Sequence, residues 1–243
     1  MIDWLIQLSI IDKIYLSLAF VTTAAILVNW NRLDPNLKIL ILYPLALFAS
    51  GYPYASKFKP FFPNDTRVLN QEDDYYNSLI VIQLNLSIPF SVISYAILAI
   101  FFYQTFIQKS IQTRVLASIP LFWFLSKVNT YSTGTWEPVN NFSTLFNIVE
   151  SVFVIYCCFV YFRELLNHDK QYRPEKDRTF WVVVSLLFYF IGNFFITGLL
   201  NYAGLTDEDL ARNAAYIGYT FSYLFYSVLI LVCFINFPLN NYE

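Results

Sequence analysis

Charge is scarce in this sequence: Asp, Glu, Lys and Arg make up 13% of 243 residues, against 57% hydrophobic ones. A soluble domain carries roughly twice that share of charge, so the deficit excludes an ordinary globular domain and makes lipid the expected solvent for most of the chain. The few charges balance to a formal net of -2. No basic run interleaved with aromatics occurs, which excludes a nucleic-acid surface. Glycine is also rare, with six in all and no GxxxG pair, so close small-residue packing cannot be the general way in which the helices associate.

Other absences remove whole chemistries. The three cysteines, Cys157, Cys158 and Cys233, fall in apolar runs, which excludes an extracellular disulfide framework and a CxxC metal site. His168 is the only histidine, so neither HExxH nor a multi-histidine zinc site can be assembled, and no metal or other cofactor is expected. No lysine lies between 213 and 237, so a retinal Schiff base in the last span is excluded. Lys127 stands in no serine-containing nucleophile elbow of the G-x-S-x-G kind, which removes the intramembrane serine protease. The chain is not expected to be an enzyme. Residues 1–13, MIDWLIQLSIIDK, carry acids rather than a basic n-region, and no small-residue cleavage site follows, so the first span is expected to be retained.

What is present is a series of apolar runs at 14–30, 37–55, 78–106, 111–129, 142–166, 179–203 and 213–237. A helix rises about 1.5 Å per residue and needs roughly 17 to 25 residues to cross the hydrocarbon. The expectation is therefore an all-α polytopic membrane protein, a single seven-helix domain over 1–243. Residues 1–12 read as a short interfacial helix or an extension of the first span. The connection 56–77, long, acidic and rich in Pro and aromatics, reads as a lid over one mouth or as a tether. Orientation follows from nine basic residues in the odd-numbered loops against six at the N-terminus and in the even-numbered loops, with most of the bias in RELLNHDKQYRPEKDR between spans 5 and 6. The N-terminus is expected outside and the C-terminus inside. Trp30 and Trp181 then sit at the inner interface, and Trp4 and Trp136 at the outer one.

With that topology Gln83, Asn85, Lys127, Asn147, Glu150, Asn193, Thr197, Asn201, Tyr216 and Tyr219 fall in the outer half or near the midplane. Unpaired polar groups are costly in hydrocarbon, so they must meet one another, water or a ligand. This predicts an outward-opening polar cavity among spans 3 to 7, with Glu150, Asn147, Lys127, Asn85, Gln83, Asn193, Thr197, Tyr216 and Tyr219 as ligand-binding residues. Glu150 leads because an acid within a span marks a working site; as a neutral or hydrogen-bonded group it would equally serve as interhelical glue. Asn147 lies one turn before it on the same face. Lys127 either joins Glu150 in gripping a zwitterionic solute or snorkels to the interface. Tyr216, Tyr219, Tyr223 and Tyr226 form a phenol series that packs between helices or contacts ligand. Pro44, Pro53, Pro89 and Pro120 lie in or at the ends of spans 2 to 4, where they can kink helices.

A transporter usually shows paired broken helices in two repeated halves, and Gly192, Gly198 and Pro120 do not form such a pair. The polar groups also thin toward the inner side, which fits a pocket closed at its base. The run NIVESVFVIYCCFVYFRELL followed by RTFWVVVSLLFYFIGNFFI resembles the small seven-helix membrane proteins of bacteria found alongside, or fused to, sensor histidine kinases. The resemblance covers spans 5 and 6: the N-x-x-E pair, a connection of about a dozen residues, and an FW-initiated span ending in G-N. It implies a receptor-like, signal-relaying module in a bacterial inner membrane. No kinase or coiled coil follows span 7 in this sequence, so the cytoplasmic signalling partner is expected to be a separate protein. Its docking surface would be the basic loop, through Arg173, Lys176 and Arg178, although positive inner loops also arise from topogenesis alone.

Overall fold

The computed structural model describes residues 10–44, 46, 92–132, 140–167, 173–203 and 208–235. Among the described residues every regular element is helical. The α-helices are α1 (Ile10–Val28), α2 (Pro35–Ile39), α3 (Val92–Thr105), α4 (Lys109–Ser132), α5 (Asn140–Leu166), α6 (Arg178–Ala203) and α7 (Glu208–Phe234). One 3-10 turn, Trp30–Arg32, ends α1. A second, Leu40–Leu42, carries α2 onward, and a third, Pro174–Lys176, precedes α6. Pro35 opens α2, where its missing N–H costs nothing. Pro120 sits inside α4 without ending it, leaving the Leu116 carbonyl without its helical donor. The apolar runs read from the sequence fall on these helices, with residues 10–12 of the 1–12 segment continuing into α1; parts of the second and third runs, residues 1–9 with Trp4, the connection 56–77 and Trp136 lie outside the described residues.

Helices α5, α6, α7 and α1 pack in that order, each against the next, and α4 touches α5 lightly. Aromatic rings join α3 to its neighbours: Tyr95 stacks on Phe122 of α4 with centroids 3.9 Å apart and tilts against Phe153 of α5 at 4.7 Å. On the other side Tyr189 of α6 stacks on Phe225 of α7 at 5.3 Å, and Tyr43 meets the edge of Phe225. Gly192 lets α6 and α7 approach closely, since a Cβ there would stand 2.6 Å from the Phe221 ring.

Large apolar side chains also stand on the outward faces. The exposed series are Ile14, Val21 and Val28 on α1, Val152, Phe159 and Leu166 on α5, Trp181, Phe188 and Phe195 on α6, and Ile217, Leu224 and Leu231 on α7. Each repeats every seven residues, close to two helical turns, so each forms one lengthwise stripe. A helix apolar on all sides occurs in the core of a large protein or in a membrane span. Two segments, Arg178–Ile196 and Tyr216–Phe234, are long and apolar enough to cross a membrane; Ser17–Val28 and Val92–Thr105 are shorter apolar stretches.

Candidate functional site

The sequence gives α5 one acid well inside its length and one near its end, and the fold uses them differently. Glu150 is buried, with 7% of its surface exposed. It lies about 21 Å along the helix from Glu164. Its Oε1 accepts a hydrogen bond from Ser94 Oγ of α3 at 3.4 Å, a long bond for a carboxylate. The Tyr95–Phe122–Phe153 ring group adjoins it along α3 and α5. Ser151, the next residue, is fully buried, and its hydroxyl has no hydrogen-bond partner. The bundle thus carries a carboxylate, one hydroxyl bonded to it and stacked rings at one level, a setting able to receive a donor group or a cation from a small molecule.

Of the other predicted ligand-binding residues, Asn193, Tyr216 and Tyr219 have described side chains. Asn193 of α6 is half-buried, about 22 Å from the α6 start and so level with Glu150. Tyr216 is exposed on α7 and Tyr219 half-buried, while Tyr226 is fully buried. The spacings of three, four and three fall about 80° short of whole turns, so the phenol series winds from the surface into the core. Tyr219 and Tyr223 stack with centroids 6.4 Å apart. Lys127, Asn147 and Thr197 lie on α4, α5 and α6, and their side chains lie outside the described residues, as do Gln83, Asn85 and Asn201. Cys157, Cys158 and Cys233 are buried and free; the Cys158 thiol points at the Val183 carbonyl, 3.6 Å away.

A second polar assembly, not foreseen from the sequence, sits at the end of the bundle that carries the basic connection. Arg178, first residue of α6, donates from Nη1 to the Arg32 carbonyl and from Nη2 to the Ile235 carbonyl at 3.2 Å. One cation thereby meets the carbonyl ends of α1 and α7, where helix dipoles favour positive charge. Asn36 Nδ2 donates to Thr105 Oγ1 at 3.2 Å and to Thr179 Oγ1 at 3.1 Å, tying α2 to α3 and α6. Glu164 accepts from the main-chain N–H groups of Ile107 at 3.1 Å and Gln108 at 3.3 Å, placing an anion at the start of α4. Through these bonds the C-terminal ends of α1, α3, α5 and α7 meet the N-terminal ends of α2, α4 and α6. Consecutive helices therefore run in alternating directions. A small apolar cavity of about 10 Å³ lies nearby, between Ile26, Leu37, Leu40, Val182, Leu229 and Cys233; it is too small and too apolar to hold more than a single water.

Of the residues expected to dock a partner, Arg173 is exposed and Lys176 partly so, whereas the Arg178 guanidinium is turned inward to the two carbonyls. Among the described residues no group of three or more His, Cys, Asp or Glu side chains is arranged to hold a metal ion. Ser94, Asn36 and the role of Glu164 escaped the sequence reading. A serine or asparagine that bonds one distant partner leaves no spacing pattern, and only the position of Glu164 near a helix end hinted at a capping role. Compared with protein families, with curated proteins and with solved structures, the chain has no significant match to any of them.

Proposed function

We propose that the chain is an integral membrane protein that crosses the bilayer seven times, N-terminus outside and C-terminus inside, and acts as a receptor-like sensory module. It binds a small polar or amphipathic ligand at the level of Glu150 and passes a helix rearrangement to a separate cytoplasmic partner. The observation that carries this reading is the buried Glu150 carboxylate, held by a single long bond from Ser94, inside helices whose outer stripes are apolar. An acid kept at such a site is retained against its desolvation cost, which favours a functional role. The alternating helix directions, the two membrane-length segments and the basic connection support the topology. The resemblance of spans 5 and 6 to histidine-kinase-associated proteins supports a bacterial inner membrane and a kinase as the partner, met by Arg173 and Lys176.

The test is a ligand screen by thermal shift on the full-length protein in detergent, repeated with Glu150→Gln. A compound that stabilises the wild type and loses at least about tenfold in affinity in the variant, a deficit of about 1.4 kcal/mol, fixes the site; equal affinity in both removes Glu150 from it. Reporters fused after Glu243 and near Asn64 should be active only in cytoplasmic and external forms respectively, and the opposite pattern overturns the orientation. Accumulation of a solute by wild-type proteoliposomes would replace the receptor with a transporter.

A further inference from the structure

Two helices reach the clasped end with the same order of residues. Along α1 the exposed stripe Val21 and Val28 is followed by Trp30, 40% exposed, and then by exposed Arg32. Along α6, read in the opposite direction, Phe195 and Phe188 are followed by Trp181, 39% exposed, and then by Arg178. The bond from Arg178 to the Arg32 carbonyl joins the ends of the two series. Apolar stripe, tryptophan, then cation is the sequence of environments met on passing from hydrocarbon through the headgroup layer. Lys38 of α2 completes the group, its ammonium 5.4 Å from the Trp30 ring centroid, a cation–π distance. Three cations meet two carboxylates here: Asp34 is exposed, and Asp177 is engaged by the Thr179 amide at 2.7 Å. Arg178 is occupied by its two carbonyls, which leaves the exposed Arg32 and the partly exposed Lys38, whose ammonium lies over the Trp30 ring, as the remaining cations.

We infer that Arg32, Lys38 and Trp30 form a site for the phosphate headgroup of an anionic phospholipid, one of whose acyl chains lies along the Val28, Val21 and Ile14 stripe of α1. The inference rests on the membrane-embedded reading above and is independent of the Glu150 site. A phosphodiester is the matching ligand because Arg32 can grip its oxygens through a planar fork and Lys38 adds a point charge. Trp30 supplies a face at the glycerol level, where amphipathic rings settle. Continuity with a lipid-facing stripe selects the lipid over a free phosphate ester, which has no use for the apolar groove. Two cations close to an anionic headgroup correspond to a preference of roughly thirty-fold.

The test reconstitutes the full chain in nanodiscs of phosphatidylcholine with graded phosphatidylglycerol and counts retained lipids by native mass spectrometry. The wild type should retain phosphatidylglycerol over phosphatidylcholine by roughly thirty-fold, Lys38→Gln should lose part of that preference, and Arg32→Gln with Lys38→Gln should bring it near unity. Both variants keep the Arg32 main-chain carbonyl that Arg178 uses, so their melting temperatures should match the wild type. Equal retention by wild type and double variant overturns the site. Displacement of the retained lipid by excess glycerol 3-phosphate also overturns it, in favour of a soluble phosphate ester. Failure of the protein to stay in alkaline-washed membranes sinks the membrane reading itself, and that extraction is scored before any lipid is counted.

Discussion

At the clasped end of the bundle, side chains reach main-chain groups of segments far apart in the sequence: Arg178 to the carbonyls of Arg32 and Ile235, Glu164 to the amides of Ile107 and Gln108. About 21 Å away along the helices, at the level of Glu150, contacts are ring on ring and glycine on ring, with one carboxylate held by one hydroxyl. The first level is directional and joins every helix terminus that it can reach. The second is close-packed but leaves its buried acid under-bonded. On the proposed function, a protein that fastens one end and leaves a buried acid weakly bonded in the other half places its stability and its responsiveness in different residues.

The largest test of that division is Gly192→Leu. The first side-chain carbon alone falls 2.6 Å from the Phe221 ring, so the α6–α7 seam must open, at about 3 kcal/mol. Chemical unfolding in mixed micelles should report the loss, and an unchanged midpoint would mean that the seam is not close-packed. Next comes Arg178→Met, which removes two charge-assisted bonds from a partly exposed site and should cost about 2 kcal/mol, with Arg178→Lys recovering part of it. If Arg178→Met unfolds like the wild type, the clasp is ornamental and the two levels do not differ as described.

Glu150→Leu sharpens the contrast from the other side. Replacing a buried, poorly bonded acid with an apolar residue should leave stability within about 1 kcal/mol or raise it, while abolishing any response to ligand. A variant both unstable and responsive would reverse the roles of the two levels. The smallest effect belongs to Glu164→Gln. It keeps an oxygen near the Ile107 and Gln108 amides but removes the charge that favours the α4 start, a loss of about 0.5 kcal/mol, visible as faster hydrogen exchange at those two amides and nowhere near Glu150.

Helices α4 to α7 were legible in the sequence because long unbroken apolar runs leave few alternatives, and their boundaries fall within a few residues of the runs, whereas the described part of the second run is a five-residue α-helix followed by a 3-10 turn. Glu150 was legible for an energetic reason: an acid in an apolar segment needs an explanation wherever the helix turns it. The tyrosines of α7 show the limit of counting by threes and fours, since the accumulated shortfall in angle takes Tyr216 and Tyr226 to different faces. The clasp was illegible for a chemical reason. Both acceptors of Arg178 are backbone carbonyls, which every residue carries, so nothing in the letters at 32 or 235 announces that a guanidinium from 178 will arrive. Arg178 looked like one more positive charge in a topogenic loop, and only the fold distinguishes it from Arg173.

The Arg178 clasp also has a consequence for biosynthesis. Its guanidinium emerges from the ribosome long after the Arg32 carbonyl and well before the Ile235 carbonyl, since chains are made from the N-terminus onward. Until the final helix has been delivered, the cation holds a single carbonyl and the C-terminal end of α1 has no link through it to α7. The second bond therefore closes only once Ile235 has been made, and a nascent chain halted before it leaves the Arg178 guanidinium with one of its two carbonyls.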